Sequence, residues 1–222
     1  MNDCPTLTAF DWVPDFARGL VRDLRVRWAL EEIGRPYETQ LYGAMAPRPD
    51  DYLAWQPFDQ VPAFADKGLK FFESGAILLY LGEQDERLLP AAPQARWNAI
   101  SWLFAALNSV EPHIGRLVSY DVFHADKDWA KEARQPCAAL VERKLMRVSD
   151  ALGDKDWLAG TFSVADIAMA TVFSNLRHTG MIDTYPKLAR YLERAFARPA
   201  YARALDAQLA DFSDTPPQMQ GA

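Results

Sequence analysis

The run Gln60-Val61-Pro62-Ala63-Phe64, followed by Phe71-Phe72-Glu73-Ser74-Gly75-Ala76-Ile77, decides how the rest of the chain is read. A short apolar segment entered through Val61-Pro62 reads as a strand, and Lys67-Gly68 turns the chain back into a second strand ending at Phe72. A helix opened by an acid and a hydroxyl follows. X-Pro bonds are cis in only about 5–6% of cases, so spacing does not set the isomer of Val61-Pro62; the surrounding pattern is what argues for cis. Such an entry leaves the Val61 N–H and C=O open to an extended ligand backbone. At the helix start, the Ser74 hydroxyl and the unpaired N–H groups of the first turn can hold a carboxylate, while Glu73 takes an ammonium. The pair suits an amino-acid zwitterion. The local alternative makes Ser74 only an N-cap and Glu73 only a favourably placed acid.

Upstream, residues 7–10 read as a strand, 21–33 as an amphipathic helix ended by Gly34 and Pro36, and 37–41 as a second strand. Pro47-Arg48-Pro49 leads through a short turn or helix near Tyr52 to Trp55, then come strands at 63–65 and 70–72 and a helix at 75–81. The order is β-α-β, then β-β-α. Charged residues and the prolines Pro90 and Pro93 mark residues 84–93 as a linker. Beyond it only helical patterning is convincing, at 94–118, 127–152, 163–179, 186–198 and 199–209. Domains are therefore expected at 1–83 and 94–212, the second all-α. Ser163 with Asp166 forms a capping box, and Phe162 with Ile167 a hydrophobic staple; this motif concerns folding. The tail from Phe212 to Pro217 is expected to be loosely ordered.

Gln60-Val61-Pro62, Glu73-Ser74-Gly75-Ala76-Ile77 and Tyr80-Leu81 resemble the glutathione-binding half of the glutathione S-transferase family. The segment from Leu24 to Glu38 resembles that family's first helix and second strand, and Ser163-Val164-Ala165-Asp166-Ile167-Ala168 its core-helix capping box, so the resemblance spans nearly the whole chain. It implies a thioredoxin-like α+β N-terminal domain followed by an all-α helical-bundle domain. It also implies glutathione as co-substrate, held by Gln60, Val61, Pro62, Glu73 and Ser74, and a homodimer.

Composition agrees with a soluble globular protein: 50% of residues are hydrophobic and 24% charged. A net charge of −6 argues against nucleic acid or an anionic membrane as partner. Two cysteines, Cys4 and Cys137, make neither a disulfide framework nor a metal site, and His113, His124 and His178 have no matching ligand set. With no secretory signal or spanning segment, the expected location is the cytoplasm.

The chain departs from the family where the chemistry should be. A free thiol has a pKa near 8.5 and must be activated, a task that family members assign to a Tyr, Ser or Cys between the first strand and first helix. From Phe10 through Asp23 there is no hydroxyl and no thiol. Arg18 and Arg22, four apart and expected on one helix face, are the candidates, because a guanidinium beside sulfur lowers its pKa. The alternative pairs them with Asp11, Asp15 or Asp23. Arg25 and Arg27 are read as structural partners of Glu31, Glu32 or other acids. Trp12, Phe16 and Tyr120 offer aromatic surface to a second, apolar substrate. Three functions stay open: conjugation of glutathione to small hydrophobic electrophiles, which leads; glutathione-dependent disulfide or peroxide reduction; and a non-catalytic glutathione-binding or interaction protein.

Overall fold

The computed structural model describes residues 4–217. Contacts divide the chain into two units, one running up to Asp85 and resuming at Arg198, the other spanning Glu86–Ala197.

The first unit is built on a four-stranded sheet in the order β2-β1-β3-β4. β1 (Thr6–Phe10) runs parallel to β2 (Glu38–Tyr42) and antiparallel to β3 (Ala63–Asp66), which pairs antiparallel with β4 (Leu69–Phe72). α1 (Asp23–Ile33) connects β1 to β2, the short α2 (Asp50–Leu53) lies between β2 and β3, and α3 (Ser74–Gly82) follows β4. This is the thioredoxin-like arrangement. Gly34, at φ 66°, closes α1 by donating its N–H back to the last turn, as a left-handed C-cap does. Leu24, Val26, Trp28 and Leu30 of α1 are fully or almost fully buried, together with Leu7, Phe64, Ile77, Leu78 and Leu81.

α9 (Pro199–Ala210) packs on α1. The expected domain 94–212 placed it with the other helices; the contacts group it with the sheet. The cause is legible in the charges. Arg198 grips Glu32 through two bonds of 2.6 and 2.8 Å, Arg203 grips Glu31 at 2.7 Å, and Tyr201 packs T-shaped against buried Trp28 with ring centroids 4.9 Å apart. Arg27 pairs with Asp23 at 2.7 Å and Asp211 at 2.6 Å, rather than with Glu31 or Glu32.

The second unit is all helix: α4 (Pro93–Phe104), α5 (Glu111–Val118), α6 (Asp128–Leu152), α7 (Val164–Ser174) and α8 (Pro186–Phe196). The single helix expected over 94–118 is interrupted by a wider π-type stretch, Ala105–Val110. Pro112 explains the break, because it cannot donate to the preceding turn. The helix expected to reach 179 stops at Ser174, where the Asn175 amide takes the Thr171 and Val172 carbonyls. The capping box of α7 is formed: Ser163 Oγ accepts from the Ala165 N–H at 3.3 Å and Asp166 accepts from the Ser163 N–H at 3.0 Å. Among the described residues no helix is long and apolar enough to cross a membrane, and no group of three or more His, Cys, Asp or Glu is arranged to hold a metal.

Candidate functional site

Sheet register decides which residues of the first unit meet. Ala63 pairs with Phe72, so Val61-Pro62 and Glu73-Ser74 flank the same end of the β3–β4 hairpin. β1 delivers Phe10 to that end too, since it runs antiparallel to β3. The loop carrying Trp12, Phe16, Arg18 and Arg22 therefore leaves the sheet beside the Val61 and Ser74 segments.

The Val61-Pro62 peptide is cis. Among the described residues neither the N–H nor the C=O of Val61 takes a protein partner. The segment is braced from below by a chain of hydrogen bonds. The Ala63 N–H donates to Thr8 Oγ1 at 2.7 Å, Thr8 Oγ1 lies 3.0 Å from the Tyr52 hydroxyl, and Tyr52 donates to the Gln60 carbonyl at 2.6 Å. With the Tyr52 proton given to Gln60, the Thr8 proton is left to Tyr52 or to the Ala63 carbonyl, 3.4 Å away. Burial raises the Tyr52 phenol above its ordinary pKa, which keeps it a donor. Tyr52→Phe leaves the Gln60 carbonyl without this donor; the expected loss is about 1–2 kcal/mol of unfolding free energy, read by urea denaturation. Arg48 holds the preceding loop: its buried guanidinium donates to the Gly43 and Ala46 carbonyls, 2.6 Å each, and lies 5.2 Å above the Phe10 ring.

Glu73 precedes α3 with φ 73° and ψ 115°, outside the regions an L-residue ordinarily occupies, and its side chain caps nothing. Ser74 is the first helical residue, so the reading of its hydroxyl as an N-cap is not realised. Ser74 as a residue is 4% exposed, and its hydroxyl accepts from Arg25 Nη1 at 3.2 Å. The exposed Glu73 carboxylate, the Ser74 hydroxyl and the opening N–H groups of α3 thus stand together at one helix start.

Arg18 and Arg22 do not share a helix face. Arg18 follows a short 3-10 turn, Asp15–Ala17, with an extended backbone (ψ 129°), and α1 begins only at Asp23. Gly19, at φ 75°, completes the break. Arg18 is held by the C-terminal segment: it donates to the Ser213 carbonyl at 3.3 Å, lies 3.6 Å from Asp214 and 3.4 Å from Asp15, and covers the Phe212 ring. The Nε–Asp15 contact lacks hydrogen-bond geometry, so it counts as an ion pair only. Residues expected to form a loose tail are therefore tied down, and the Ser213 N–H also donates to the Asp11 carbonyl at 2.7 Å. Arg22 sits exposed at the entry to α1. Below both, Gln208 donates to Asp23 at 2.8 Å; burial pushes the Asp23 carboxyl up against the lowering effects of Arg27 and Gln208.

Trp12 is half-buried and Phe16 is 46% exposed in the loop between β1 and α1. Tyr120 belongs to the second unit, in a π-type turn, Ser119–Phe123, T-shaped against Trp129 with ring centroids 5.9 Å apart. A cleft of about 480 Å³ lined by Asp51, Ala54, Trp55, Lys70, Phe71 and Phe72 contains none of the expected site residues. Thr8, Arg48 and Tyr52 join the site without a signal in the sequence, and the contact of Arg25 with Ser74 has none either. The contacts of Thr8 and Arg25 join residues 44 to 55 positions apart, which no local pattern announces.

Comparison with known proteins follows the same division of the chain. The profile of the glutathione S-transferase N-terminal domain matches residues 6–83, and that of the C-terminal domain matches residues 127–194. The disulfide-bond oxidoreductase YfcG of Escherichia coli K12 is 31% identical over 171 residues, covering 72% of this chain and 79% of the relative. A GST-like protein of Streptococcus mutans is 27% identical over 170 residues, covering 70% of this chain but only 64% of its own length. Among solved structures, a glutathione transferase family member from Pseudomonas fluorescens Pf-5 with two glutathione bound superposes with a TM-score of 0.80 at 28% identity, covering 91% of this chain and 92% of that one.

Proposed function

Because the chain belongs to the glutathione S-transferase family, we propose that it binds glutathione at the Val61, Glu73 and Ser74 edge and activates the thiol for attack on a small hydrophobic electrophile. The carrying observation is the convergence of three complementary features at one sheet end: a Val61 backbone with no partner among the described residues, an exposed Glu73 carboxylate, and a Ser74 hydroxyl at a helix start. The Val61 peptide pairs with the ligand backbone, Ser74 and the α3 N–H groups take its γ-glutamyl carboxylate, and Glu73 takes its ammonium. Gln60 and Pro62 shape the glycine side and the floor.

The thiolate is stabilised by positive charge in the loop between β1 and α1. Arg18 and Arg22 carry that role, with Arg22 at the mouth of the helix and Arg18 fixed by Asp15 and the C-terminal segment. Trp12 and Phe16, beside that loop, supply apolar contacts for the electrophile. In the transfer, the sulfur lone pair forms the new S–C bond, and the leaving group departs with the electrons of the bond it breaks. The chain works as a homodimer in the cytoplasm, a reading supported by two free cysteines and by exposed Trp97 and Phe104, seven residues apart on α4.

Disulfide reduction is the second reading, favoured by the similarity to YfcG and by the Pseudomonas fluorescens structure with two glutathione bound. There the thiolate attacks one sulfur of a disulfide, expels the other as thiolate, and a second glutathione resolves the mixed disulfide; no cysteine of the chain is needed. Steady-state turnover of wild type and Arg22→Ala with an aryl halide and with a small disulfide tests these assignments. The conjugation reading expects turnover of the aryl halide, falling about 10–100-fold in the variant. Turnover of the disulfide alone would replace it with the second reading, and an unaffected variant would remove Arg22 from the chemistry.

A further inference from the structure

The hydrogen bond beneath Ser74 has a directional consequence. A serine hydroxyl carries one proton and two lone pairs. In this chain Arg25 Nη1 occupies one lone pair at 3.2 Å, and among the described residues Ser74 donates its proton to no protein group. An arginine side chain has donors only and stays charged, so this contact has one polarity: the hydroxyl always accepts on its inner side and presents its proton outward. Arg25 is 2% exposed, held on α1 where that helix packs against α3. Its charge cannot swing into solvent, and it lies behind the same helix start that carries the free N–H groups of α3.

Resting on the reading of Ser74 as a carboxylate anchor, we infer that Arg25 is a specificity-determining positioning residue, which orients the Ser74 proton and makes the site select a ligand bearing a negatively charged γ-glutamyl carboxylate. Arg25 acts through Ser74 and through the field of a guanidinium fixed in a poorly screened place, where charge interactions exceed those at the surface. A neutral amide in place of the carboxylate still accepts the Ser74 proton through its carbonyl oxygen but gains nothing from the field, so the charge is what the pair discriminates. A residue that merely braced α1 against α3 would affect every ligand alike, and this difference makes the two roles separable.

Calorimetric titration of two probes decides between them: reduced glutathione, and its analogue with the γ-glutamyl α-carboxylate converted to a primary amide. Wild type is expected to prefer glutathione by roughly 10–100-fold, the range of a charge-assisted hydrogen bond. Arg25→Gln is expected to lower that preference to within about threefold by weakening glutathione, with the amide little changed, whereas Ser74→Ala, which removes the donor to both probes, is expected to weaken both and glutathione the more. Arg25→Lys, which keeps the charge and loses the planar fork, is expected to retain part of the preference and carries the test if Arg25→Gln does not fold. The inference is overturned if the Arg25 variants weaken both probes by one common factor or keep the full wild-type preference. If wild type binds no glutathione, the assignment of the ligand falls first and this inference with it.

Discussion

Asp166→Ala is expected to cost about 3–5 kcal/mol of unfolding free energy, the combined loss of a helix cap and of an acceptor for several buried neutral donors. The Asp166 carboxylate is wholly buried and collects four donors: the Leu158 N–H at 3.0 Å, the Ser163 N–H at 3.0 Å, the Ser163 hydroxyl at 3.2 Å and the Tyr191 hydroxyl at 3.1 Å. Removing it undoes the α7 capping box and orphans several of these groups inside the second unit. Asp166 also links stability to pH. Burial outweighs its hydrogen bonds and raises its pKa from 3.8 to about 6. The folded state therefore binds this proton more tightly than the unfolded chain between those values. This contribution is fully present below about pH 4 and lost as pH rises through 6, by an amount on the order of 3 kcal/mol. Urea unfolding at several pH values should show wild type losing stability across this window relative to Asp166→Asn, whose amide does not titrate there.

Glu73 should show opposite effects on stability and on binding. Its φ of 73° with ψ of 115° costs an ordinary L-residue about 1–3 kcal/mol, a cost that glycine avoids. Glu73→Gly is therefore expected to raise the unfolding free energy by about 1 kcal/mol after the extra freedom of glycine in the unfolded chain is subtracted. Glu73→Ala keeps the strain and gains nothing. Both variants lose the carboxylate that faces the ligand ammonium, so both should raise the dissociation constant for glutathione by roughly 10–100-fold. Thermal melts and calorimetry on the pair separate the two effects. A Glu73→Gly protein that is more stable and still binds as tightly as wild type would show that the strained residue has no role in the site.

The fold was legible because local signals agreed with one another. Gly34 stops a helix, Lys67-Gly68 turns a hairpin, Ser163 with Asp166 starts a helix, and each does so in the structure. The edge formed by Val61 and Ser74 was legible for the same reason, since a strand entry and a helix start are both local. What sequence reasoning could not supply depends on distant residues. Periodicity gives α9 its helix but not its partner, and Glu31 and Glu32 look satisfied by Arg27 until the structure brings in Arg198 and Arg203. Arg18 and Arg22 fit one helix face by spacing, but the 3-10 turn and Gly19 between them remove that face. Arg25 looked structural because nothing near it in sequence reveals Ser74, 49 positions away.

The ultraviolet absorbance of the glutathione thiolate, titrated with pH in the presence of saturating wild-type protein, tests the central claim most directly. The account predicts a bound thiol with a pKa lowered by about one to two units from its free value near 8.5, a shift worth on the order of 1–3 kcal/mol, and one that Arg18→Ala with Arg22→Ala abolishes. A bound glutathione that titrates as the free thiol does would contradict it, leaving a protein that holds glutathione without activating it.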